Sequence, residues 1–147
     1  MCGIFWFNFI DGILAKKMVR ILNHRGPDHK SVFTDTNLTF GYTRLSIIDL
    51  KGGNQPVFNE DKSIAVFFNG EIYNYKEIKN NLEKKGHEFE SDSDTEVIVH
   101  SYEEYGKDCL KYFNGMFAFA VYDISKKELF IARDRLGIKP MYYYYNA

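Results

Sequence analysis

Cysteine is scarce in this chain: Cys2 and Cys109 are the only two among 147 residues, which excludes a disulfide framework and a cysteine-rich metal site. An excess of charge is missing too. The 19 Lys and Arg stand against 20 Asp and Glu, a net charge of −1, so neither nucleic acid nor an anionic membrane is expected as a partner. No apolar run could cross a bilayer, the longest being residues 116–122, and residues 1–9 lack the basic start of a signal peptide. The expected setting is cytoplasmic. His24, His29, His87 and His100 show no metal-ligand spacing, so turn, surface or core roles and no metal are expected. With no repeats, low-complexity tracts or Ser/Pro-rich linkers, the chain reads as one domain able to bury a sizeable core.

Aromatic residues are plentiful, at 17% of the chain with 13 Phe and 11 Tyr, and this favours strands over a helical bundle. The nearly unbroken apolar run at 3–9 predicts a buried strand at the N-terminus. Ile13, Leu14, Met18, Ile21 and Leu22 recur at helical spacing, and that helix should stop before the turn His24-Arg25-Gly26-Pro27-Asp28. Strands are expected at 31–34, 38–44 and 63–68, the last ending at Asn69-Gly70, whose commonest role is a hairpin turn. Tyr75, Ile78 and Leu82 mark a helix with Asn74 as N-cap and Gly86 past its end. Ser93 and Glu96 have capping-box spacing for a second helix running to Gly106. Residues 117–122 and 128–133 predict a hairpin, and the lack of polar alternation at 116–121 predicts a strand covered on both faces. Cys109, beside Leu110 and Phe113, reads as a small core residue. Apolar strands interleaved with amphipathic helices give an α+β arrangement, stacked sheets with helices outside.

Cys2 directly follows Met1. Removal of Met1 would leave a thiol and an α-amine on one residue. The thiol pKa of ~8.5 calls for an activating base, and an α-amine of pKa ~7.7–8.0 can supply it. Gly3 lets the chain turn closely beside such a nucleophile. Cleaving a primary amide also needs oxyanion donors and groups that hold the substrate. The Asn69 side-chain amide and the Gly70 backbone N–H are candidates for the first task.

Seven ordered blocks then carry a family resemblance. They are Met1-Cys2-Gly3-Ile4-Phe5, His24-Arg25-Gly26-Pro27-Asp28, Arg44-Leu45-Ser46-Ile47-Ile48-Asp49, Asn69-Gly70-Glu71-Ile72-Tyr73-Asn74, Ser93-Asp94-Thr95-Glu96-Val97-Ile98, the stretch from Asn114 to Ala120, and that from Arg133 to Pro140. Together they resemble the N-terminal glutaminase domain of glutamine-hydrolysing asparagine synthetases, a class II glutamine amidotransferase. The resemblance implies the N-terminal-nucleophile hydrolase fold, a layered α/β/β/α sandwich of mainly antiparallel sheets. It implies hydrolysis of L-glutamine to glutamate and ammonia through a thioester on Cys2, with Asn69 and Gly70 as oxyanion hole. Arg44 then matches the grip on the substrate α-carboxylate and Asp94 the partner of its α-ammonium. Ile48 and Glu71 belong to the segments that line the site. The loops at 24–28 and 133–140 are at least as well suited to structural roles.

The same resemblance implies a partner. Residues 2–147 correspond to a glutaminase domain expected to be incomplete at its C-terminal end, and no Ser-Gly-Gly-x-Asp-Ser type pyrophosphate loop occurs in them. Ammonia would therefore pass to a synthetase domain or partner polypeptide, and ATP and magnesium are expected only there, with no cofactor in this chain. Homo-oligomerisation stays open. Relatives serving amino-sugar or purine synthesis usually carry a His-Thr-Arg-Trp-like segment, whereas this chain reads Gly41-Tyr42-Thr43-Arg44-Leu45-Ser46-Ile47, which favours the asparagine-synthetase type over a sugar acceptor. Trp6 stands where the family usually has Gly. An indole so near Cys2 is expected to occupy part of the glutamine pocket or displace its cover, and it raises the alternative of a catalytically silent binding domain.

Overall fold

The structure, a computed structural model, describes residues 2–46 and 53–145. Strands β1 (Gly3–Phe7), β2 (His29–Asp35) and β3 (Leu38–Arg44) form one antiparallel sheet in the order β1-β3-β2. Strands β4 (Val57–Phe58), β5 (Ile64–Ile72), β6 (Gly115–Asp123) and β7 (Glu128–Arg133) form a second, in sequence order. Helix α1 (Gly12–Ile21) packs on the first sheet, and α2 (Tyr75–Glu83) and α3 (Glu96–Tyr105) pack with the second. The result is the layered α/β/β/α sandwich that the family resemblance implies, with the stacked sheets and outer helices expected from the patterning.

Alternation along the strands explains the layers, because successive side chains point to opposite faces. On β1, Phe5 and Phe7 pack with Ala15 and Val19 of α1, whereas Ile4 and Trp6 face the other sheet with Cys2. On β5, Val66, Phe68 and Ile72 meet the α2 and α3 residues Ile78, Leu82, Val97 and Ile98, while Ala65 and Phe67 face the inter-sheet core. Strand β6 is divided the same way: Phe117, Phe119 and Val121 turn outward, Ala120 and Tyr122 inward. A strand buried on both faces needs no polar alternation, and that is why 116–121 lacks it. Between the sheets Phe40 stacks on Phe67 with ring centroids 4.1 Å apart.

Several local expectations are revised. The 63–68 strand does not end at Asn69-Gly70; β5 runs through them, with Asn69 opposite Ala118 and Gly70 opposite Phe117, so pairing with β6 overrides the turn preference. In α1, Ile13 and Ile21 are 73% and 69% exposed, and the buried pair is Ala15 and Val19. The 15, 18, 19, 22 stripe also has helical spacing, and small Ala15 suits the close approach to Phe5, whose ring lies over Gly41 of β3. The capping box is absent. Thr95 stands at the N-cap of α3, and Glu96 instead accepts from the N–H groups of Glu90 at 2.7 Å and Ser91 at 2.8 Å and from the Ser91 hydroxyl. Asn74 precedes α2 as expected, but its side chain bridges Tyr112 O and Asn114 N rather than capping the helix.

Candidate active site

Strand ends bring the candidate residues to one place. β1 starts beside Cys2 and pairs antiparallel with the end of β3, Gly3 opposite Thr43. Gly3 N donates to Thr43 Oγ1 at 3.2 Å, which itself donates to Leu22 O at 3.2 Å, and a Cβ at Gly3 would lie 2.8 Å from that hydroxyl. Close packing here needs glycine. The Cys2 sulfur sits 3.3 Å from Tyr42 Oη, accepts from Leu45 N at 3.4 Å and lies 3.8 Å from Leu45 O. Burial pushes the Tyr42 hydroxyl well above its ordinary pKa, and the neighbouring Cys2 adds to this. Tyr42 therefore stays a neutral phenol able to donate a hydrogen bond to a thiolate.

The edge of β5 supplies the other wall. In an antiparallel strand, alternate N–H groups point to one edge. Ser63 O and Tyr73 N bond to Ile124 and Asn114 on the β6 side, so the even-numbered residues turn their N–H groups to the opposite edge. There Phe68 N donates to Gln55 Oε1 at 2.6 Å and Ile72 N to Asp94 Oδ2 at 2.9 Å. The Gly70 N–H lies between these two and borders the cleft. A cleft of about 490 Å³, open mouth included, is lined by Cys2, Arg44, Asn69, Gly70, Glu71 and Asp94 together with Tyr42, Gln55 and Lys139.

Arg44 and Asp94 place opposite charges in this cleft, each only 5% exposed. Arg44 Nη1 donates to Asn54 Oδ1 at 3.1 Å, and a Cβ at Gly53 would lie 2.5 Å from Nη2, so a side chain there would make the guanidinium shift. Beneath Arg44 the 24–28 loop acts structurally. A Cβ on Gly26 would meet the Thr43 and Arg44 backbone at 2.5 Å, Asp28 N donates to Arg44 O at 3.0 Å, and Asp28 Oδ2 accepts from Ser46 N at 2.8 Å. Burial raises the Asp94 carboxyl to a pKa of about 6; the Glu71 charge adds to the rise and the Ile72 N–H opposes it. A cationic ligand beside Asp94 would offset that burial cost.

Of the residues singled out from the sequence, Cys2, Arg44, Asn69, Gly70, Glu71 and Asp94 share this cleft, while Ile48 lies outside the described residues. Trp6 is not among these lining residues; its indole packs between the sheets, 6.3 Å from the Phe40 ring, and lines a second cavity that Cys2 and Asn69 also border. Tyr42, Gln55 and Lys139 escaped the sequence reading. Tyr42 was detectable by strand alternation, two residues before Arg44. Lys139 is 2% exposed, and its backbone N–H is one of four, with those of Phe117, Leu136 and Ile138, that the Asp134 carboxylate accepts. Burial pushes the Asp134 carboxyl up, but these bonds outweigh it and hold the group below the usual range, so the 133–140 loop is anchored while Lys139 reaches the cleft.

The chain is similar to asparagine synthetase (glutamine-hydrolysing) 3 of Bacillus subtilis (strain 168), 42% identical over 151 residues covering 97% of this chain and 25% of that protein. It is 48% identical over 130 residues to asparagine synthetase (glutamine-hydrolysing) 2 of the same organism, covering 88% of this chain and 17% of that protein. Asparagine synthetase (glutamine-hydrolysing) 2 of Oryza sativa subsp. japonica is 45% identical over 148 residues, covering 97% and 25%. The chain thus spans about a quarter or less of the length of these relatives. Among solved structures, glutamine phosphoribosylpyrophosphate amidotransferase of B. subtilis, complexed with ADP and GMP, has the same fold at a TM-score of 0.76 and 20% identity, covering 95% of this chain and 38% of that one. A family model described as a glutamine amidotransferase domain matches residues 1–147, and the chain belongs to that family.

Proposed function

We propose that this domain hydrolyses L-glutamine to glutamate and ammonia and delivers the ammonia, in a cytoplasmic setting, to a synthetase domain or partner polypeptide that makes asparagine. Support comes first from one observation: the Cys2 sulfur, Asn69, the Gly70 N–H edge and the oppositely charged Arg44 and Asp94 border the same cleft. Support for asparagine over a sugar acceptor comes from the relatives' names. After loss of Met1, the Cys2 α-amine takes the thiol proton and the sulfur attacks the amide carbon. The oxyanion is held by the Asn69 amide and the Gly70 N–H. Collapse expels the amide nitrogen, which receives the proton as ammonia and leaves a thioester. Water, deprotonated by the same amine, then releases glutamate. Arg44 holds the α-carboxylate with paired charge-assisted bonds, and Asp94 holds the α-ammonium.

The test is glutamine hydrolysis by freshly processed protein beside a homogeneous preparation that retains Met1. Glutamate and ammonia should form one for one in the first and be lost in the second, because the retained residue acylates the base. Full activity with Met1 in place would sink this mechanism.

Asp94 gives the reaction a pH signature. With its pKa at about 6 in the free protein, kcat/KM for glutamine should fall as pH drops below about 6, since a neutral carboxyl no longer pairs with an ammonium. The same shift affects folding. A carboxyl whose folded pKa lies above its unfolded value stabilises the fold fully below the unfolded pKa and loses that contribution as pH rises through about 6. Asp94→Asn should therefore raise thermal stability at neutral pH, by on the order of 1–3 kcal/mol, while weakening glutamine binding. A pH profile of kcat/KM with unfolding curves for both proteins checks this. A profile flat from neutral pH down through 5 would remove Asp94 from the substrate site.

A further inference from the structure

Away from the cleft, residues from three elements converge on one point. Glu60 lies in the loop after β4, His87 just beyond α2, and His100 and Glu103 three residues apart on α3. One ligand atom from each can be chosen so that all four lie within 4.8 Å of one another. His87 Nδ1 lies 3.7 Å from Glu60 Oε1 and 3.6 Å from Glu103 Oε2; His100 Nδ1 lies 3.6 Å from Glu60 Oε2 and 3.2 Å from Glu103 Oε2. Ligands about 2.0–2.2 Å from a tetrahedral zinc ion are separated by roughly 3.3–3.6 Å. Each imidazole nitrogen thus stands near such an edge distance from both carboxylates.

A second observation concerns what lies behind these groups. Imidazoles that bind metal almost always direct their other ring nitrogen to a carboxylate, carbonyl or water, and their carboxylate co-ligands are themselves hydrogen-bonded. His87 Nε2 faces Glu104 Oε2 at 3.5 Å, and His100 Nε2 faces Glu96 Oε1 at 3.7 Å without a hydrogen bond. Glu103 Oε1 accepts from Asn59 Nδ2 at 2.8 Å, and Glu60 Oε1 accepts from Glu88 N at 3.1 Å. Four carboxylates therefore surround two imidazoles, one of which, His100, is only 1% exposed. Glu104 is also paired with Lys85 Nζ at 2.5 Å, and the remaining concentration of negative charge at Glu60, Glu96 and Glu103 is one that a divalent cation would offset. None of the four ligands lines the cleft at Cys2.

We infer that Glu60, His87, His100 and Glu103 form a divalent-metal site, of the nitrogen and oxygen type that suits Zn2+, which staples the β4–β5 loop and the end of α2 to α3. Linear spacing conceals it because the ligands come from separate elements.

The test uses the full chain with Cys2→Ser, which removes the competing nucleophilic thiol, stripped with chelator and titrated with Zn2+ by calorimetry and with Co2+ as a visible-absorption probe. One equivalent should bind, the melting temperature should rise with Zn2+, and Co2+ should show the intense bands of tetrahedral coordination. His87→Gln and Glu60→Gln, both on the rim rather than in the core, should each weaken binding at least a hundredfold. Glu104→Gln, which touches no metal, should weaken it by about 10–100-fold. Absence of Zn2+ binding would overturn the inference. So would equal affinity in His87→Gln, or a weak octahedral Co2+ spectrum.

Discussion

Asn69→Ala should lower kcat for glutamine hydrolysis by about 10²–10³-fold, the usual cost of removing one oxyanion donor, and change KM far less. The reason lies in when the contact strengthens. A carbonyl oxygen gains charge only as the sulfur adds to the amide, so a donor aimed at that oxygen acts mainly on the transition state. Asn69 borders the cleft beside Cys2 from the inter-sheet side, while the Gly70 N–H reaches it from the strand edge. Arg44→Ala should show the opposite pattern, raising KM with kcat less affected, because the carboxylate is gripped in ground and transition states alike. Arg44→Lys should restore little of this, since a point-charge ammonium cannot form the paired bonds of a planar guanidinium. Steady-state kinetics of the three variants decides the matter, and a reversed pattern would mean that the two roles are exchanged.

Gly70→Ala should be at least as damaging, through the backbone. A Cβ there would stand 2.2 Å from Met116 O and 2.7 Å from Phe117 Cα, and these belong to β6, a central strand packed on both faces. Since β6 cannot yield cheaply, β5 must move and carry the Gly70 N–H with it. Turnover should fall by about 10²-fold or more, as for loss of an oxyanion donor, and stability by roughly 1–3 kcal/mol, as for an overpacked core. Gly12→Ala is the control, because a Cβ at Gly12 meets nothing within 4 Å, and both properties should stay near wild type. Gly70→Ala with wild-type turnover would separate the Gly70 N–H from the chemistry.

Much of this architecture could be read in advance from local chemistry. Unbroken apolar runs marked the strands covered on both faces, and the order of the short motifs identified the family. What escaped depended on partners distant in sequence. Asn69-Gly70 is the commonest local hairpin signal, yet nine residues of pairing between β5 and β6 keep it extended. Ser93 and Glu96 have capping-box spacing, but the Glu96 carboxylate finds three donors in the preceding loop and turns there instead. On α1 two apolar stripes overlap, and only contact with Phe5 decides which is buried. Trp6 is four residues from Cys2 on the same strand face. That separation, roughly 13 Å at the rise of a strand, carries the indole along β1 toward Phe40.

The central claim, that Cys2 becomes acylated by glutamine, is tested most directly by acid-quenching the processed protein during turnover and mapping the N-terminal peptide by mass spectrometry. The expected result is a γ-glutamyl group on Cys2 that appears before steady state, disappears when glutamine is exhausted, and is absent along with turnover in Cys2→Ala. Turnover that survives in Cys2→Ala, or an acyl group found on any other residue, would contradict it.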